Sequence, residues 1–211
     1  MIRHRLQFRF KKDGDLRLIG HRDLARTFER LMRRIELPLA MSEGFHPHPK
    51  INFPSALAVG VEGKSEVVEV TVSEPVDVAA IKERLIGQLP EGLAITDVRV
   101  MDQGEPKTHI EEVDYVVPLS EDQCESVQIK IAEFIAAESW MVERTGKKGS
   151  KQVDIRPGVH SLELNNNQLT MRLETTQTYN VKPREVLALL GIENLETRGH
   201  WLTRTGVHLA S

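Results

Sequence analysis

Cysteine is nearly missing from this chain of 211 residues: Cys124 is the only one. A single thiol excludes an intramolecular disulfide framework, a CxxC metal site and an iron–sulfur cluster ligated by cysteines of this chain alone. So few thiols suit a reducing compartment, and a cytoplasmic setting is expected. Long apolar runs are missing too. Nowhere do 18 apolar residues follow one another, and Met1-Ile2-Arg3-His4-Arg5 has no apolar stretch, so neither a membrane span nor a secretion signal is expected. The chain also has no P-loop, GxGxxG, GxSxG or HExxH motif, which removes the usual signatures of a nucleotide fold, a hydrolase triad and a zinc protease.

What is present is an ordinary globular composition, 40% hydrophobic and 28% charged, rich enough to bury a core. The net charge of −3 hides an asymmetry. Residues 1–50 hold 12 Lys and Arg against 6 Asp and Glu, a net of +6, and the remainder carries −9. The basic end suits a polyanion, and the acidic remainder suits a basic partner or solvent.

Periodicity gives the fold. Leu6 to Phe10 alternates as a strand with one buried face, Asp13-Gly14-Asp15 turns, and Leu16 to Ile19 reads as extended. A helix follows over His21 to Ile35, with Leu24, Phe28, Leu31 and Ile35 on one face. Pro38–Met41 and Ile51–Phe53 read as strands. Val67–Val72 is a strand with Glu69 and Thr71 facing outward, Val78 to Leu89 a helix stopped by Pro90 and Gly92, and Leu93–Val100 a last strand. Strand, helix, strand pair, helix, strand is the order of a ferredoxin-like (split βαβ) sandwich. Residues 102–109 form a polar linker, and residues 110–211 repeat the pattern more loosely. That second half has a helix over Glu121–Ala137, a strand over Trp140–Thr145, a basic turn at 146–149, a hairpin around Asn165–Asn167, a short helix from Pro183 to Gly191, and a last strand over Trp201–Val207. The expected fold class is therefore α+β, with two tandem ferredoxin-like antiparallel α/β sandwiches at residues 1–102 and 110–211.

Chemistry concentrates in one loop and the helix before it. Ser42-Glu43-Gly44-Phe45-His46-Pro47-His48-Pro49-Lys50 is longer than an ordinary hairpin connection, stiffened by proline and rich in donors. Gly44 is expected to adopt a positive φ. Phe45 either stacks on a base or anchors the loop on the core. Lys50 is either a phosphate or carboxylate contact or an exposed strand lysine. Arg22, Arg26, Arg30, Arg33 and Arg34 occupy the solvent side of the helix, positioned either to meet phosphates or to form a soluble surface, with Glu29 set to pair with Arg33. His21, His46 and His48 are candidates for acid–base chemistry. Their spacing matches no established metal-ligand signature, and no metal is assigned. In the second half, Asp154 and Arg156 lie two apart on an extended segment and offer either a salt bridge or a fork for an anion. Cys124 falls on the apolar side of its helix and reads as core.

The runs Phe10-Lys11-Lys12-Asp13-Gly14-Asp15-Leu16-Arg17, Gly20 to Arg30 (with His21-x-Asp23-Leu24), and Leu37 to Ile51 resemble the radical SAM-linked family of uncharacterised bacterial proteins. Asp154-Ile155-Arg156-Pro157 is similar to a motif in that family's second half. The resemblance implies a cobalamin-type radical SAM protein as partner, encoded beside or fused to its relative, in gene neighbourhoods with a ribonuclease of the E/G type and ribosomal proteins. It implies an RNA context, with the iron–sulfur cluster, S-adenosylmethionine and cobalamin held by the partner and no cofactor on this chain. On that reading Arg22, Arg26, Arg30, Arg33 and Lys50 meet phosphates, Ser42, Gly44, Phe45, His46 and His48 position substrate, and His21 with Asp23 braces the loop. A weaker likeness, to the ferredoxin-like RNA-processing endoribonucleases of CRISPR systems, makes a metal-independent nuclease using His21, His46 or His48 the alternative. A protein-interaction scaffold is the third reading. The glycine-rich loop of those nucleases has only a poor counterpart here in Gly199-His200-Trp201 and Gly206.

Overall fold

The computed structural model describes residues 4–146, 149–176 and 178–210. These residues form a mixed α+β protein with four α-helices, divided into two compact units, Met1–His109 and Ile110–Ser211. Within each unit every strand pair is antiparallel.

In the N-terminal unit, β1 (His4–Lys12) runs between β4 (Leu93–Val100) and β3 (Glu62–Val72), and the two-residue β2 (Ile51–Asn52) adds beyond β3. The order is therefore β4-β1-β3-β2. Alternation sorts the side chains. Leu6, Phe8 and Phe10 of β1 and Val68, Val70 and Val72 of β3 join one buried cluster with Leu24, Phe28, Leu31 and Met32 of α1 (His21–Arg34) and Ile81 and Leu85 of α2 (Val78–Leu85). Phe28 anchors it, with its ring centroid 4.8 Å from Phe10 and 5.4 Å from Phe53, edge to face.

Three local expectations change. Residues Gly14–Leu18 form a 3-10 turn rather than an extended segment. Lys12 lies fully buried behind them and donates from Nζ to the carbonyls of Arg17 (3.3 Å) and Ile19 (3.4 Å), which curls the chain back. Helix α2 ends at Leu85 instead of continuing to Leu89, because Gly87 takes a left-handed turn at φ +72°. Pro38–Met41 makes only single bridges, Leu39 to Val72 and Met41 to Pro49, and not a regular strand.

The C-terminal unit has the order β10-β5-β9-β8, from β5 (Ile110–Pro118), β8 (Val159–Asn165), β9 (Gln168–Glu174) and β10 (Thr203–Leu209). The expected hairpin around Asn165–Asn167 closes with Asn166 and Asn167 at φ 50° and 60°, the geometry of a two-residue type I′ turn. Helix α3 (Glu121–Ala136) starts at a capping box in which Ser120 N–H donates to Gln123 Oε1 (3.3 Å), and α4 (Pro183–Leu189) ends before Gly191 at φ +73°. Cys124 is half-buried rather than core, its thiol donating to the Ser120 carbonyl and to Asn167 Oδ1 at 3.4 Å each. The strand expected from Trp140 is one arm of a separate hairpin, β6 (Met141–Gly146) with β7 (Gly149–Asp154). Lys147 and Lys148, in the expected basic turn, lie outside the described residues.

Candidate functional site

Helix α1 carries the basic surface. At 100° per residue Arg22, Arg26, Arg30 and Arg33 lie within about 80° of one another, on the side away from the buried Leu24, Phe28, Leu31 and Met32. Asp23 in the first turn and Arg33 and Arg34 in the last suit the helix dipole. All five arginines are exposed, but they are not equally free. Arg26 pairs with Asp23 at 3.2 Å, Arg33 with Glu29 at 3.0 Å, and Arg34 donates to the Gln88 carbonyl at 3.2 Å. Arg22 and Arg30 have no partner among the described residues.

The loop over residues 42–49 is a closed hairpin tip. Ser42 N–H donates to the His48 carbonyl (2.8 Å), His48 N–H donates to Ser42 Oγ (3.1 Å), and Ser42 Oγ lies 2.8 Å from His48 Nδ1. The same His48 Nδ1 lies 3.5 Å from the His46 carbonyl. His48 is thereby a closing residue of the loop. Gly44 adopts φ +123°, as expected. Phe45 corrects the core-anchor alternative: it is fully exposed, at 102% of its reference area. His46 is exposed beside it.

His21 lies elsewhere. Its ring packs edge to face on Phe53, 5.2 Å between centroids. The bonds of Asp23 run to Arg26 and to the Thr27 hydroxyl, within α1 rather than to the loop. Among the described residues no group of three or more His, Cys, Asp or Glu side chains is placed to hold a metal ion. Asp154 and Arg156 form no side-chain pair. The Asp154 carboxylate accepts from the backbone N–H groups of Trp140 (2.7 Å) and Arg156 (3.0 Å), and the Arg156 guanidinium lies 5.2 Å over the Phe134 ring and donates to the Ile135 carbonyl. Both act in holding the turn after β7.

Lys50 takes an unexpected place. It lies with Arg5, Asn52, Glu69, Thr71 and Lys107 on the sheet face opposite the helices. Of these only Lys50 stood out in the sequence. Glu69 reads as outward-facing from its alternation, yet it is only 4% exposed, because residues 102–109 cross that face and Thr108 N–H donates to its carboxylate at 2.8 Å. The signal available was the polar alternation of Arg5, Gln7 and Arg9 on β1, which shows a polar face but not what covers it.

Fold and surface define a protein of two antiparallel α+β units with an arginine stripe on its first helix. Residues 5–183 match the family described as an uncharacterized protein conserved in bacteria, DUF2344, and the chain belongs to that family. No curated protein matches the chain. Among solved structures, it is similar to an unknown protein from Galdieria sulphuraria at 15% identity, covering 100% of both chains with a TM-score of 0.27. It is also similar to a protein assigned as a transcriptional repressor of the glycine cleavage system, at 13% identity, 96% of this chain and 97% of that one, with a TM-score of 0.26. Likenesses this faint carry no argument. No helix among the described residues is long and apolar enough to cross a membrane.

Proposed function

We propose that this chain is a non-catalytic accessory module that binds RNA, or an RNA–protein substrate, for a radical SAM partner. The observation that carries the binding half is the arginine stripe of α1, in which Arg22 and Arg30 stand exposed with no counter-charge of their own among the described residues. An exposed Phe45 on a loop closed by Ser42 and His48 supplies a ring for stacking. The partner half rests on the motif resemblance of residues 10–51, and the cluster, S-adenosylmethionine and cobalamin belong to that partner. His21 packed on Phe53 and His48 tied to Ser42 favour binding over an endoribonuclease.

The same reading takes each unit as a ferredoxin-like fold. The order β4-β1-β3-β2 with α1 and α2 in the two crossovers supports it for the first unit. The order β10-β5-β9-β8 with α3 and α4 supports it for the second, with β6–β7 as an insertion.

Filter retention of a single-stranded RNA at low salt tests the binding half. The wild-type chain retains the RNA intact in EDTA, and Arg22→Glu with Arg30→Glu loses at least tenfold in affinity. Equal retention by both proteins overturns the proposal.

A further inference from the structure

We infer that the helix-free face of the N-terminal sheet holds a pocket for a phosphate monoester. Leu6, Phe8, Val68 and Val70 point into the core with the helices, so Arg5 and Gln7 of β1 and Glu69 and Thr71 of β3 point the other way. That second face is built rather than merely solvated. Gln7 and Glu69 are each only 4% exposed.

Residues 102–109 are fastened across this face by a continuous polar network. Gln7 Nε2 donates to Thr108 Oγ1 at 2.8 Å, and Arg99 Nε donates to Gln7 Oε1 at 2.9 Å. The Arg99 guanidinium grips both oxygens of Glu105 at 2.7 and 3.1 Å, and the Asp102 N–H reaches the same carboxylate at 2.9 Å. Arg5 donates to the Pro106 carbonyl at 3.2 Å. The fastened segment brings Lys107 to a cavity of about 470 Å³ that Arg5, Lys50, Asn52, Glu69 and Thr71 also line.

Charge and size then select the ligand. Three cations line the cavity against one carboxylate, and that carboxylate is engaged: Glu69 accepts from Thr108 N–H and, at 3.4 Å, from Asn52 Nδ2. Neither lysine ammonium has a partner among the described residues. A surplus of two positive charges matches a phosphate monoester, which carries about −1.5 to −2 at neutral pH. The volume falls in the range of roughly 300–1,000 Å³ typical of small-molecule sites, too large for a lone phosphate to fill. Asn52 Oδ1 and the Thr71 hydroxyl offer neutral hydrogen bonding to an organic body attached to that phosphate. A mononucleotide and the 5′-phosphorylated end of an RNA both present this chemistry.

Titration calorimetry of the full chain with 5′-AMP and with adenosine tests the pocket. AMP binds and adenosine does not, Lys50→Ala with Lys107→Ala weakens AMP at least tenfold, and Arg22→Glu with Arg30→Glu leaves AMP binding unchanged. Because that last variant removes the α1 stripe, the pocket and the RNA reading fail separately. Lys107→Glu alone, at an exposed position, gives the same loss should the double variant misfold. In the Arg22→Glu, Arg30→Glu background, an oligoribonucleotide that binds more tightly with a 5′-phosphate than with a 5′-hydroxyl identifies the RNA end as the source. AMP tighter than that oligonucleotide identifies the free nucleotide. No binding of AMP at millimolar concentration, equal binding of AMP and adenosine, or AMP affinity unchanged by the lysine substitutions overturns the inference.

Discussion

Burying a phenylalanine side chain is worth about 1.5–3 kcal/mol, and Phe45 forgoes that gain at the tip of its loop. Gly44 at φ +123° and the Ser42–His48 closure hold the backbone in a turn that leaves the ring outside. If the ring exists to stack on a base, Phe45→Ala changes folding stability by less than about 0.5 kcal/mol. The same substitution weakens single-stranded RNA binding by about 1–3 kcal/mol. Thermal unfolding and fluorescence anisotropy measure the two effects, and the reverse pattern identifies a packing residue. The loop was legible in the sequence as a departure from ordinary hairpin chemistry, but the direction of the ring was not. A phenylalanine between apolar segments reads as core until the closure that excludes it is known. The α1 arginines were legible from period alone. Which of them stand unpaired depends on the rotamers that join Arg26 to Asp23 and Arg33 to Glu29.

At the level of elements, strands and helices with strong alternation or period emerged correctly, and short pieces set by one distant contact did not. The 3-10 turn at Gly14–Leu18 depends on the buried ammonium of Lys12, which no local pattern announces. Of the β6–β7 hairpin the sequence showed the first strand, but neither its pairing with β7 nor the fastening by Arg144. Its guanidinium meets both oxygens of Glu185 at 2.7 Å and the Asn180 carbonyl at 2.6 Å, fastening the hairpin beside the start of α4. Burial pushes the Glu185 carboxyl upward, but hydrogen bonds from Arg144 and the Lys182 N–H outweigh it and hold the group below its ordinary range. Arg144→Ala leaves that half-buried carboxylate without its cation. A loss of about 1.5–3 kcal/mol in chemical denaturation is expected, the range for hydrogen bonds to charged groups. Arg144→Lys recovers only part of it, since an ammonium cannot form the two-oxygen fork. No destabilisation in Arg144→Ala removes the pair from the account of this unit.

Across the whole molecule, the charge asymmetry and the succession of elements were readable from the sequence, whereas the role of residues 102–109 was not. Composition marks them as a linker, yet Arg99 and the Asp102 N–H hold the Glu105 carboxyl at a pKa of about 2 against an ordinary 4.5, and the segment lies fastened over the first sheet. A lowered folded-state value means that the ionised form stabilises the fold above about pH 4.5 and that this contribution drains away as pH falls toward 2. Amide protection at Asp102, whose N–H donates to that carboxylate, is therefore expected to fall between pH 4.5 and pH 2. Glu105→Gln abolishes that dependence at a cost on the order of 0.5–1 kcal/mol, for a pair whose side chains are 42% and 25% exposed. Flat protection over that interval contradicts the assignment. The central claim concerns α1, and the salt dependence of RNA binding tests it most directly. Four arginines on single-stranded RNA give a slope of log Kobs against log salt of about −2.8, and Arg22→Ala with Arg30→Ala reduces its magnitude by about 1.4. The same slope in both proteins would contradict the claim that the arginine stripe of α1 meets the phosphates.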